Sequence, residues 1–82
     1  EAADIEITSA AKDLVKSFDD IENVINVISV QQGPGEVMVA MKLKFKKNVT
    51  SESLISSINL FEKELKKVRP EVRWCFIEPD VK

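Results

Sequence analysis

VMVAMKLKFKK, residues 37–47, alternates along its length. Val37, Val39, Met41, Leu43 and Phe45 share one side, and Met38, Ala40, Lys42, Lys44 and Lys46 share the other. A period of two is that of a β-strand with one covered face. GPGE (33–36) precedes it and carries strong turn chemistry. Before the turn, NVINVISVQQ (23–32) is rich in β-branched residues and reads as a second strand. Its apolar residues do not alternate cleanly, so both of its faces read as partly covered. The two strands form a hairpin.

The segment after the hairpin decides the topology. In NVTSESLISSINLFEKELKKVRPE (48–71), Leu54, Ile55, Ile58, Phe61, Leu65 and Val68 recur at helical spacing. Thr50 is placed to cap the start, with Glu52 in the first turn. Lys63, Lys66, Lys67 and Arg69 crowd the end, where the macrodipole favours cations, and Pro70 stops the helix. VRWCFIE (72–78) is the last strand, with Val72, Trp74 and Phe76 on one face and Arg73, Cys75 and Ile77 on the other. A strand, a crossover helix and a strand connect right-handedly and in parallel. Upstream of the hairpin, Ala11, Leu14, Val15, Phe18 and Ile21 mark a first helix near residues 8–20, with Thr8 or Ser9 at its start. Ile5 and Ile7 either extend that helix or pack beneath it. The class is therefore α+β, in the order α-β-β-α-β: a three-stranded mixed sheet with two helices on one face.

Composition narrows the function. At 82 residues the chain is a single domain, and such a chain buries only about 60 % of the surface it exposes when unfolded. Small domains of this kind lean on a disulfide, a metal or a partner. One cysteine excludes an internal disulfide, and a reducing cytosol is the expected compartment. Twelve basic against 14 acidic residues give a net charge of −2, which carries no nucleic-acid or membrane signal. No apolar run approaches the roughly 18–20 residues of a membrane span, and no signal peptide is visible. The chain opens on Glu1 rather than methionine, as a piece of a longer protein would. Histidine is absent, which removes the commonest general base and metal ligand together. Enzymatic chemistry is not expected.

The side of the sheet away from the helices is expected to carry Met38, Ala40, Cys75, Ile77 and parts of Ile25 and Val27. It is either a partner surface or a sheet face with ordinary exposed aliphatics. Cys75 reads as an inert thiol, since no base or cationic pocket adjoins it in sequence. Cys75, Glu78 and Asp80 could supply some ligands of a metal site, with the rest from a second subunit. Lys42, Lys44, Lys46 and Lys47 make a basic stripe. An RNA-binding sheet would interleave it with exposed aromatics, whereas Phe45 and Trp74 are expected to face the helices, so no nucleic-acid partner is expected.

Taken together, Val24, Val27 and Val30, then Gly33 and Gly35, then Leu65, Pro70 and Val72, and finally Glu78 and Pro79 resemble the cytoplasmic C-terminal domain of cation diffusion facilitator transporters, over about residues 10–80. The resemblance implies a ferredoxin-like, metallochaperone-like fold that forms a homodimer at the cytoplasmic face of the membrane. It also implies a transmembrane part, preceding Glu1, that exports a divalent metal (zinc, cobalt, iron, manganese or nickel), usually in exchange for protons. Zinc-binding members place regulatory histidines at the positions of Ile28, Lys42 and Phe76, and of that site only Glu78 keeps a ligand type. An ammonium at Lys42 repels a cation. Any metal bound here would need a different site, built from Cys75, Glu78 and Asp80. The rival expectation is a stand-alone ferredoxin-like or ACT-like module that binds a small ligand, with GPGE as its candidate loop.

Overall fold

The computed structural model describes residues 5–81, with side chains to Asp80. Its elements are α1 (Ile5–Val15), β1 (Ile21–Gly33), β2 (Glu36–Phe45), α2 (Ser51–Val68) and β3 (Val72–Val81). The sheet order is β1-β2-β3, with β1 antiparallel and β3 parallel to the central β2. This is the mixed three-stranded sheet that the hairpin and the crossover predict. Pro34 and Gly35 make the reversal between β1 and β2. Gly35 takes φ +67°, a conformation in which a Cβ would be strained.

The core lies between one face of the sheet and the two helices. Val39, Met41, Leu43 and Phe45 are buried along β2 as their alternation requires, with Ile7, Ala11 and Val15 of α1 and Phe61 and Leu65 of α2 above them. α2 begins as expected. The Thr50 side chain accepts from the Ser53 amide at 3.1 Å, satisfying one of the free N–H groups of the first turn. Its buried stripe is narrower than the sequence suggests: Leu54 and Ile58 pack at the core margin, while Ile55 and Val68 are 58 % and 53 % exposed. A three-stranded sheet covers only a strip of each helix, and these two residues fall outside it.

α1 departs from the expected span of 8–20. It spans Ile5–Val15, so Ile7 is a core residue and Thr8 and Ser9 lie within the helix. After Val15 the chain tightens through Ser17 N–H to Leu14 C=O and Phe18 N–H to Val15 C=O. That turn lays the Phe18 ring on Phe61, with centroids 5.5 Å apart and tilted at 57°. Asp19 and Asp20, poor residues for a helix C-terminus, lie beyond it. The Asp20 carboxylate instead accepts hydrogen bonds from the hydroxyls of Ser53, at 2.5 Å, and Ser57, at 3.1 Å. These bonds tie the entrance of β1 to the first turns of α2.

The edge strands are irregular, and this sets which residues face outward. β1 carries an extra residue at Glu22 and another at Ile25, between the pairs Ile21–Phe45, Asn23–Lys44, Val24–Leu43 and Asn26–Lys42. Each bulge shifts the alternation by one, so Ile21, Val24 and Val27 point inward at intervals of three. This is why β1 did not alternate in sequence. β3 carries one extra residue, Arg73, between Val72–Val37 and Trp74–Met38. Val72 therefore points inward, and so do Cys75 and Ile77, while Trp74 and Phe76 point outward. The expected faces of β3 are reversed from Trp74 onward, and Val27 also leaves the open face for the core side.

Candidate functional site

The face of the sheet turned away from the helices is built in rows across the three strands. Register places Val30, Met38 and Trp74 in the first row, and Ile28, Ala40 and Phe76 in the second. Next come Asn26, Lys42 and Glu78, then Asn23, Lys44 and Asp80. One half of the face is thus apolar and the other charged. Trp74 and Phe76 are 44 % and 59 % exposed, and Ile28 and Val30 are exposed beside them. Exposed aromatics joined to aliphatics in one patch mark an interaction surface rather than scattered surface apolarity. Met38 and Ala40 lie on this face as the alternation of β2 predicts. Trp74 and Phe76 lie on this face against the period of β3, because nothing in VRWCFIE announces the bulge at Arg73. The Arg73 guanidinium reaches the Glu36 carboxylate at 3.4 Å, across the strands beside the bulge.

A hollow of about 380 Å³ opens at the boundary between the two halves, lined by Asn26, Ile28, Ala40, Lys42, Phe76 and Glu78 among others. Ile28, Lys42, Phe76 and Glu78, which are far apart in sequence, converge on it. A smaller hollow of about 230 Å³ lies under Trp74 and Phe76, against Gln32 and Met38.

The charged half is internally paired. The Lys42 ammonium lies 3.9 Å from the Glu78 carboxylate, and that of Lys44 lies 3.3 Å from Glu22, with Asp80 in register beside Lys44. Cys75 is not part of this group. It sits on the covered face with its side chain buried, and burial, with Glu62 nearby, pushes its thiol up to about 11. It stays protonated at neutral pH and is a poor nucleophile. Cys75 and Glu78, three residues apart in a regular strand, lie on opposite sides of the sheet, so one chain does not bring Cys75, Glu78 and Asp80 around a single ion. Among the described residues no group of three His, Cys, Asp or Glu gathers in the way a metal site needs. The donor set of the face does not fit a resident divalent metal: each carboxylate row contains an ammonium.

At the other end of the molecule, Arg69 forks to Glu71, at 2.8 Å and 3.0 Å, and to Glu6 of α1, at 2.7 Å. The hydrogen bond to Glu6, then that to Glu71, raise the pKa of this guanidinium. The contact holds the start of α1 to the end of α2. Among the described residues, no helix is long and apolar enough to cross a membrane.

No protein-family model matches the chain, and no curated protein matches it in sequence. Solved structures do. A variant of the MamM CTD in a copper form superposes with a TM-score of 0.82 at 8 % identity, over 94 % of this chain and 95 % of that one. A variant in a cadmium form gives 0.83 at 8 % identity, over 95 % and 96 %. A third, in a nickel form, gives 0.82 at 8 % identity, over 94 % and 96 %. At this identity the likeness speaks for the fold. That fold is the metallochaperone-like α-β-β-α-β arrangement of the MamM C-terminal domain, a cation diffusion facilitator domain, as the sequence resemblance implied.

Proposed function

We propose that this chain is the cytosolic C-terminal domain of a divalent-cation efflux transporter, where it pairs with a second copy of itself and helps set the transporter's conformation. It performs no catalysis. One observation carries the reading: the apolar half of the open face, where Ile28, Val30, Met38, Ala40, Trp74 and Phe76 meet in two adjoining rows. A domain of 82 residues gains stability by covering such a patch. The fold it shares with the MamM CTD, in structures named for copper, nickel and cadmium forms, supports a divalent metal as the cargo of the whole protein and a membrane-embedded part of the chain as the domain's other partner.

Two rivals are weaker. The open face pairs aromatics with lysines, as single-strand RNA platforms do. Yet Lys42 and Lys44 are each held by a carboxylate, and Glu22, Glu78 and Asp80 lie among the lysines there. A backbone of phosphates gains little from such a face. A small-ligand module would use GPGE, whose Pro34 and Gly35 serve the hairpin reversal.

Molar mass by light scattering across a range of concentrations tests the proposal. A dimer that weakens when Trp74 or Phe76 is changed to Ala supports it. A strict monomer under every condition defeats self-pairing and brings the ligand-binding module forward.

A further inference from the structure

We infer that Lys42 takes the place of a metal ion in the hollow of the open face, so that the domain's pairing is blind to divalent cations. The inference rests on the reading of this face as a self-pairing surface, and it concerns what controls that pairing.

The hollow brings together one carboxylate, one ammonium, one amide and a set of apolar side chains: Glu78, Lys42, Asn26, and Ile28, Ala40 and Phe76. Among the described residues Glu78 is the only anion lining it, and Lys42 lies 3.9 Å away. A divalent ion there would find one anionic ligand, would meet the ammonium at close range, and would need two or three further N, O or S donors. The neighbouring row offers no relief. The Lys44 ammonium stands between Glu22 and Asp80, bonded to the former at 3.3 Å and in register with the latter. The sulfur of Cys75 is turned to the other side of the sheet. The positive charge of the hollow is therefore covalently attached and carried on a strand of the sheet. A bound ion comes and goes with its concentration, whereas Lys42 does not. The pairing it supports is constitutive, and its dependence is on ionic strength, which screens exposed ion pairs.

The test is calorimetric titration of zinc and of cobalt into the domain, alongside its molar mass in the same buffers. The wild-type domain is expected to take up neither ion and to keep its mass unchanged. A Lys42→His/Phe76→His variant sets two imidazoles beside Glu78 and is expected to gain stoichiometric zinc binding, at least tenfold tighter than any residual wild-type uptake. Circular dichroism confirms that the variant folds. Stoichiometric zinc uptake by the wild-type domain that disappears in Glu78→Gln overturns the inference. So does a folded double variant that stays silent, since removing Lys42 would then not have opened the site. The two readings fail separately. A monomer that takes no metal defeats self-pairing and leaves metal blindness standing, and a stable dimer that binds zinc through Glu78 does the reverse.

Discussion

The two faces of β2 are made from alternate residues of one ten-residue strand, and they have opposite roles. Val39, Met41, Leu43 and Phe45 look inward and are covered by the chain's own helices. Met38, Ala40, Lys42 and Lys44 look outward, on the side of the sheet away from the helices. The inner face is uniformly apolar, because it has only to exclude water. The outer face changes character along its length, apolar beside Trp74 and Phe76 and ion-paired beside Glu78 and Glu22. A gradient of that kind does nothing for the core of this chain. Its use lies in meeting another surface in one orientation. The comparison assigns folding to the inner face and leaves the outer one to the self-pairing proposed above.

The sharpest way to break the comparison is to exchange the faces of β3. Deleting Ile77 moves Glu78 into the covered position, and burying an unpaired carboxylate costs several kcal/mol. The deletion variant is expected to be unfolded by circular dichroism. Deleting Arg73 only removes the bulge and keeps every later residue on its side, so that variant is expected to fold. If both behave alike, the bulge does not set the faces.

Next in size, Leu43→Ala is expected to cost about 2–5 kcal/mol by denaturant unfolding, a large part of a small domain's stability. Met38→Ala, on the other face of the same strand, should cost clearly less. Equal losses would mean that the outer face also belongs to the core of the single chain.

Trp74→Ala and Phe76→Ala sharpen the assignment from the other side. The dissociation constant of the dimer should rise at least tenfold, about 1.4 kcal/mol or more, as for buried aromatic anchors of interfaces. The unfolding free energy of the dilute monomer should move by less than about 1 kcal/mol. Sedimentation across concentrations reads the first quantity and urea unfolding the second. Smaller still, Thr50→Ala removes a helix cap remote from the open face and should lower stability by about 1 kcal/mol without changing self-association.

An effect confined to alkaline pH comes from Cys75 and marks it as an inner-face residue. Its thiol titrates near 11 when folded and near 9 when exposed. The unfolded chain therefore loses its proton first, and the stability this thiol contributes is fully present below about pH 9. It is lost as pH rises toward 11. Unfolding midpoints measured from pH 8 to 11 should show this alkaline decline in the wild-type domain, and a shallower one in Cys75→Ala. A thiol reagent should react slowly at pH 8 with the folded protein. Fast labelling would place Cys75 on the open face after all.

Local chemistry alone determined much of this protein. The period of two in β2, the Thr50 cap and Pro70 stop of α2, and the Pro34–Gly35 turn depend on neighbours in sequence, and they yield α-β-β-α-β with a parallel third strand. The resemblance carried by Val24, Val27, Gly33, Pro70 and Glu78 led to the same fold, which the MamM CTD structures share. Only the tertiary structure decided what faces outward on the two edge strands. A bulge exists because a strand has a partner, so the extra residue at Arg73 leaves no mark in composition or period, and those at Glu22 and Ile25 show only as the lost alternation of β1. Arg73 turned Trp74 and Phe76 to the open side and Cys75 to the core, and thereby separated Cys75 from Glu78. Likewise, the end of α1 at Val15 reflects what Phe18 and Asp20 find in α2. The hollow is a matter of register: Ile28, Lys42, Phe76 and Glu78 become neighbours only when three strands are aligned side by side.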